Sequence, residues 1–318
     1  MRVSILIPSF NHDAFVSEAI DSALGSAYRD LEVVVVDDGS TDDTRKRLEE
    51  FSGDRRVRVF TQENQGAHAA LNRAMELATG EIFFILNSDD AFSPDRVPRL
   101  VQELGAEPET VLAASWIQIV DVDGNACGVK KGWRNLPPWS PPSDGPFLSG
   151  LGDPVLALLE TNYLATTSNI AFPRTLVTDH GLRFRQLRYA HDWDFILSAC
   201  HHGRIALIPE PLVRYRFHEA NTIREGADES VGKMRFEIQW VVARHAQRLL
   251  RAAQSSGLSP EKLEGLLWNS MPSFGCDAIL ESLLLLRGSS DDPPTAYESV
   301  MDPSHPLYRE SVAVLAQD

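Results

Sequence analysis

Phe83-Phe84-Ile85-Leu86-Asn87-Ser88-Asp89-Asp90 is an apolar run that stops at two adjacent carboxylates. The apolar part has the length and composition of a buried strand. Burying one ionised carboxylate costs several kcal/mol unless it is paired or coordinates a metal. A strand that delivers two of them to its carboxyl end therefore points to a cation. The competing reading is a pair of solvated turn residues, because Asp hydrogen-bonds its own backbone in turns that follow strands.

The residues upstream give this strand its setting. Val3-Ser4-Ile5-Leu6-Ile7 is a β-rich run closed by Pro8, and Val16, Ile20, Ala23 and Leu24 then recur at helical spacing. Leu31 to Val36 is near-continuously apolar, as expected of a strand covered on both faces, and ends at Asp37-Asp38-Gly39-Ser40-Thr41. A helix is expected over Asp43 to Phe51, a strand over Val57 to Phe60 and a helix over Ala69 to Ala78 closed by Gly80. Four strands thus alternate with three helices, which predicts a doubly wound α/β sheet with right-handed crossovers. Ligands bind such sheets outside the carboxyl ends of the strands. Pro8 to Asn11, Asp37-Asp38, Gln65-Gly66 and Asp89-Asp90 all fall there and should line one crevice.

Downstream, Val111 to Val120, Ser168 to Phe172 and Ile205 to Pro209 read as strands, with a helix over Trp193 to His201. Gly132 to Pro154 is rich in Pro, Gly, Ser and Trp without periodicity; Trp133, Trp139 and Phe147 are either a lid that stacks on a ligand or anchors for a long loop. From about Gly226 the pattern turns helical, including Val231 to Ala253 and Ser259 to Trp268. The stretch 233–251 is locally basic, with Lys233, Arg235, Arg244, Arg248 and Arg251 beside Phe236 and Trp240. Such a helix fits either an anionic membrane surface or packing against the acidic remainder of the chain or a partner subunit.

The 318 residues are 43% hydrophobic and 24% charged, a globular composition, with net charge −15. An acidic surface argues against nucleic acid as a partner. Cys127, Cys200 and Cys276 lie far apart without a CxxC spacing, which predicts reduced thiols in a cytoplasmic protein. Met1 leads straight into a strand, so no secretory leader is expected, and Leu283 to Leu286 is too short to cross a bilayer.

The order of motifs resembles the GT-A glycosyltransferases of family 2. The resemblance rests on Pro8-Ser9-Phe10-Asn11, Asp37-Asp38-Gly39-Ser40-Thr41-Asp42, Asn64-Gln65-Gly66, Asn87-Ser88-Asp89-Asp90, His191-Asp192-Trp193-Asp194 and Tyr215-Arg216-Phe217-His218 running on to Thr222. It covers roughly residues 1–225, leaving 226–318 as a helical C-terminal extension. It implies a mostly parallel central sheet flanked by helices, and an inverting, metal-dependent transfer of a sugar from a nucleotide-diphosphate donor, UDP-sugar foremost, to a carbohydrate or glycoconjugate hydroxyl.

The resemblance also implies roles. Asp90 and His218 would hold Mn²⁺ or Mg²⁺, with Asp89 nearer the ribose or donor sugar. Asp38 would accept a hydrogen bond from the nucleobase, with Pro8, Phe10 and Gly66 around the nucleotide. Asp192 would be the base that deprotonates the acceptor; one base suffices, because the diphosphate leaves without protonation. Asp194 reads as a helix-start acid, and Asn169 and Trp193 as acceptor-side contacts. Three departures stand out: Asn87 where relatives carry a third aspartate, His191 in place of a common glutamate, and Leu71 in place of a frequent arginine. Two rivals remain. A sugar-phosphate nucleotidyltransferase would share the strand order, but Pro8 to Asp13 lacks its Gly-rich basic loop; a sugar-binding module without catalysis is the other. A peripheral place at the inner membrane face follows only if 233–251 docks on lipid. The oligomeric state is not legible in the sequence.

Overall fold

The computed structural model describes residues 1–132, 153–218, 228–254 and 300–315, together with 221, 259, 261–262 and 265–266. Trp133, Trp139, Phe147, Thr222, Cys276 and most of the helix expected over Ser259 to Trp268 lie outside the described residues. The chain forms two compact units: residues 1–141 with 163–218, and residues 142–162 with 219–318.

The first unit holds a nine-stranded sheet. Its strands are β1 (Val3–Ser9), β2 (Leu31–Asp37), β3 (Val57–Thr61), β4 (Ile82–Ile85), β5 (Ala91–Phe92), β6 (Thr110–Val120), β7 (Ala126–Lys130), β8 (Ala171–Pro173) and β9 (Arg204–Arg216). They lie in the order β3-β2-β1-β4-β8-β6-β9-β5, with β7 beside β6. The β1–β4 strands pair in parallel, so their carboxyl ends share one edge, as the alternating pattern predicts. The strands β1, β2 and β4 are buried at every position, which explains their unbroken apolar character.

Helices α1 (Val16–Leu24), α2 (Thr44–Glu49), α3 (Ala67–Leu77), α4 (Arg96–Ala106), α6 (Thr175–Thr178) and α7 (His191–Ala199) belong to this unit, and α5 (Pro154–Glu160) to the second. Val16, Ala19, Ile20 and Ala23 of α1 pack with Ile5, Ile7, Val33 and Val35 of the sheet in the main core. The periodic runs are thus read correctly in type, while their ends move by one to three residues. Two misses are larger: no element is expected over the helix α4, and β9, expected to stop at Pro209, is continuous to Arg216 through two prolines. Pro209 falls at a register shift against β6, where a missing N–H costs no ladder bond.

The second unit contains α5, α8 (Asp228–Gln254) and α9 (Pro306–Leu315). Phe236 and Tyr308 meet edge to face, with ring centroids 5.0 Å apart. Phe236, Trp240, Val241, Val242 and Leu249 of α8 are buried, so the apolar side of this basic helix is covered by protein.

Candidate active site

The carboxyl edge of the parallel strands assembles three loops. After β2, the two aspartates divide their work. Asp37 Oδ2 accepts from Ser40 N at 3.3 Å and Arg45 Nε at 2.9 Å, holding its own turn. Asp38 reaches across to the loop before α3, accepting from Gln62 Nε2 at 2.7 Å, Gln65 N at 3.0 Å and Gly66 N at 2.7 Å. Gly66 stands at φ 93°, a conformation that favours glycine. The two loops also approach closely: a Cβ on Gly39 would lie 2.9 Å from Asn64 N. Pro8 is inside β1, opposite Val36, and Phe10 just beyond it is 41% exposed at the crevice edge, unusual for a phenylalanine.

After β4, the two aspartates face opposite ways. Asp90 points into protein: Oδ2 accepts from Ser168 Oγ at 2.5 Å and Thr166 Oγ1 at 3.4 Å, and Oδ1 from Arg216 N at 2.9 Å. Burial, and then the charge of Asp89, push its pKa well above the ordinary carboxylate range. Asp89 instead faces two histidines. His218 Nε2 lies 3.1 Å from its Oδ2 and His12 Nε2 lies 4.0 Å away. Burial would raise the Asp89 pKa, but the His218 hydrogen bond and the two nearby imidazoles bring it below its usual value.

His12, Asp89 and His218 each offer a ligand atom within 4.8 Å of the others, and they are the group among the described residues able to hold a metal ion. His12 Nδ1 is hydrogen-bonded to Ser88 Oγ at 2.8 Å, which turns Nε2 toward Asp89. The sequence reading gave the metal to Asp90 and His218 and the ribose side to Asp89. The geometry brings Asp89 and His218 together and engages both oxygens of Asp90 with protein donors. His12 was missed: a lone histidine in a loop after a strand carries no ligand spacing, and only the fold brings it to His218.

Asn87 has a local reason. Its Nδ2 donates to Thr166 Oγ1 at 3.1 Å and its Oδ1 accepts from Thr167 Oγ1 at 2.9 Å. An aspartate could accept but not donate, so Asn87 fits the threonine pair of the 3₁₀ turn Thr167–Asn169. Asn169 is spent inside the protein, bonded to both backbone groups of Ser115 and to Leu164 O, which removes it as an acceptor contact.

Asp192 sits in the first turn of α7, buried, with Trp193 N donating to its Oδ1 at 2.7 Å. Asp194 is paired with Arg185 Nε at 3.3 Å, and Trp193 is buried. His191 presents its ring to the edge of Phe184, centroids 6.2 Å apart. His68, at the start of α3, has its pKa lowered first by burial and then by the charge of His191, with Asp38 opposing. It lies beside Gly66, whose Cβ would meet its Nδ1 at 3.1 Å. His68 is therefore a second histidine that the sequence reading passed over.

Residues 4–140 match glycosyl transferase family 2. An uncharacterized glycosyltransferase of Nostoc sp. is 30% identical over 226 residues, 70% of this chain and 66% of that protein. The chain belongs to glycosyl transferase family 2. Among solved structures, Staphylococcus aureus TarS 1-349 in complex with UDP-GlcNAc superposes with a TM-score of 0.58 at 17% identity, covering 90% of this chain and 84% of that one. A mannosyltransferase from Pyrobaculum calidifontis in complex with GDP-Man and Mn²⁺ gives 0.53 at 18% identity, covering 99% and 86%. At such identities the likeness is one of fold, and the fold is GT-A. This chain spans about two thirds of the length of its Nostoc relative. No described helix is long and apolar enough to cross a membrane.

Proposed function

We propose that this family 2 chain is a metal-dependent, inverting glycosyltransferase that takes its sugar from a nucleotide-diphosphate donor, UDP-sugar first, and passes it to a carbohydrate or glycoconjugate hydroxyl. The single observation that carries the reading is the convergence of Asp89, His218 and His12 at the carboxyl edge of the sheet. A carboxylate and two imidazoles suit Mn²⁺ better than Mg²⁺, which favours an all-oxygen shell. Bound there, the cation would supply Lewis-acid stabilisation of charge on the departing diphosphate.

The chain's own groups carry the rest. Asp89, His218 and His12 would hold the cation, and Asp90, anchored by Ser168 and Arg216, would fix the loop that carries Asp89. Asp38 keeps Gln65 and Gly66 in place, and its remaining lone pairs suit a uracil or thymine N–H. Phe10, exposed at the edge, offers a face to the base. Asp192 would take the acceptor proton as that oxygen attacks the anomeric carbon from the side opposite the diphosphate, inverting the centre. The TarS complex with UDP-GlcNAc and the mannosyltransferase complex with GDP-Man and Mn²⁺ support this donor class and ion for a protein of the same fold. A membrane role for 233–251 would have to use its charged face alone, since Phe236 and Trp240 are buried.

Thermal melting with UDP, dTDP, GDP and CDP, each with and without Mn²⁺, tests the reading. A ligand at about 100 times its Kd stabilises by roughly 2.7 kcal/mol. A Mn²⁺-dependent shift with one nucleotide, lost in Asp89→Ala, is expected. Absence of any shift would overturn it. Asp192→Asn should keep that shift yet lose roughly 10²–10⁴-fold in turnover.

A further inference from the structure

Three side chains at the entry to α1 face three at the exit of β9. His12, Phe15 and Glu18 follow one another at a spacing of three. Phe15 N and Val16 N bond to His12 O at 3.0 and 2.9 Å, and Ala19 N to Phe15 O at 3.1 Å, so the helical turn begins at His12 and these side chains share a face. Arg214, Arg216 and His218 follow at a spacing of two, as an extended chain requires for one face.

The contacts form a ladder. Glu18 pairs with Arg214 Nη2 at 2.9 Å and with Arg216 Nη2 at 2.5 Å, one carboxylate oxygen to each. The Phe15 ring lies 5.0 Å from the Arg216 guanidinium carbon and 5.1 Å from the His218 ring. The His12 ring meets the His218 ring at 90° and 5.9 Å. Arg216, with its side chain 4% exposed, also donates from Nε to Asp89 O at 3.1 Å and from Nη1 to Asp121 O and Val122 O. So each of the three converging ligands is fixed by a rung: the histidines against Phe15, and the Asp89 peptide by an arginine that Glu18 orients.

We propose that Phe15 and Glu18 are positioning residues for the divalent-cation site, setting the spacing of His12 and His218 from Asp89 without touching cation or substrate. The inference rests on the reading of His12, Asp89 and His218 as that site. Phe15 has no ligand atom, and both oxygens of Glu18 are engaged by arginines. A desolvated guanidinium on an aromatic face is held electrostatically as well as by packing, so an aliphatic side chain of like size is no substitute. Partners behind a metal ligand commonly govern affinity by about 10–100-fold.

The test is the Kd of Mn²⁺ for the full chain, read from the electron paramagnetic resonance of free Mn²⁺ at saturating UDP. It is measured below the melting transition of every variant. Phe15→Leu and Glu18→Gln should each raise the Kd by about 10-fold or more. Phe15→Tyr, which restores the aromatic face, should stay within about threefold of the parent. Should Phe15→Leu fail to fold, the half-exposed Glu18→Gln carries the test. Parent-like Kd values in both variants, with binding lost in Asp89→Ala, would overturn the ladder and leave the site reading standing. Equal Kd values for the parent and Asp89→Ala would overturn the site reading, and the ladder proposal with it.

Discussion

The two ends of the parallel strands each hold a carboxylate largely out of solvent, and they treat it in opposite ways. At the amino edge Glu32, the second residue of β2, accepts on Oε1 from Ser4 Oγ at 2.7 Å, Thr79 N at 2.6 Å and Thr79 Oγ1 at 2.8 Å. Its Oε2 faces Arg58 Nη1 at 3.2 Å and Arg2 Nη2 at 3.6 Å. Burial would raise its pKa, yet the hydrogen bonds from Ser4, Thr79 and Arg58 together leave it lowered. At the carboxyl edge Asp89 meets imidazoles rather than hydroxyls and guanidinium groups, and a second carboxylate is forced in beside it. A buried acid whose oxygens are closed off by a backbone N–H, hydroxyls and guanidinium groups, and not by imidazoles that could share a metal, is an anchor. A largely buried acid among imidazoles that can ligate a metal is a candidate for chemistry, and burial alone does not tell the two apart.

Neutralising each acid in turn separates the two edges by the largest effect. Asp89→Asn keeps size and a hydrogen-bonding partner for His218, and the charge it removes is one that the imidazoles favour but Asp90 opposes, so the Tm of the metal-free chain should hardly move. Transfer activity should fall by about 10³-fold, the several kcal/mol that a metal supplies to a charged transition state. Kinetics with Mn²⁺ and the donor identified by melting would check it. Glu32→Ala should do the reverse. Stranding Arg58, Ser4 Oγ and Thr79 N is expected to cost about 3 kcal/mol, or roughly 6–12 °C in Tm for a unit of this size, with activity per folded molecule unchanged. Scanning calorimetry of the same samples reads that arm. If Glu32→Ala lost activity at full folding, the division between the edges would be wrong.

How legible was this difference beforehand? The sheet was written plainly, because unbroken apolar runs such as Leu31 to Val36 followed by acid-rich turns leave few alternatives to buried parallel strands. That Asp38 and Gln65-Gly66 share one edge followed from where those strands end; the hydrogen bonds that tie them together did not. Other features could not be read. Whether Asp89 or Asp90 faces the crevice depends on the rotation of the chain as it leaves β4. That rotation is set by Ser168 and Thr166, nearly eighty residues away. Glu32 looked like one polar interruption in a strand, since its partners come from three separate segments. The β9 strand was cut short because its prolines are tolerated only at a register shift that pairing creates. Local pattern encodes the elements; side-chain partnerships across the sheet need the assembled topology.

A smaller effect separates the two aspartates of the carboxyl edge itself. Asp90→Asn keeps an acceptor for Arg216 N and a group to meet Ser168 Oγ, but removes a charge that burial and Asp89 both oppose. The metal-free protein should therefore melt higher than the parent at neutral pH, whereas Glu32→Gln should melt lower. Melting in the presence of a chelator distinguishes them. A fall in Tm for Asp90→Asn would mean that its ionised form anchors the loop as Glu32 anchors its own.

The finest test is the acid limb of stability, where Glu32 and Asp90 must act with opposite sign. The folded-state pKa of Glu32 is lowered, so its contribution is present in full above the unfolded value, about 4.3, and is lost as pH falls through the folded value. The folded-state pKa of Asp90 is raised, so its ionisation costs stability as pH rises through that value, and acid relieves the cost. In chelator, denaturant midpoints taken downward from pH 7 should show Asp90→Asn lacking a gain that the parent makes on initial acidification. Glu32→Gln should lack part of the loss that the parent suffers below about pH 4.3. Equal slopes in all three proteins across both windows would show that neither carboxylate differs in protonation between folded and unfolded chains. The two edges would then differ in geometry but not in electrostatics.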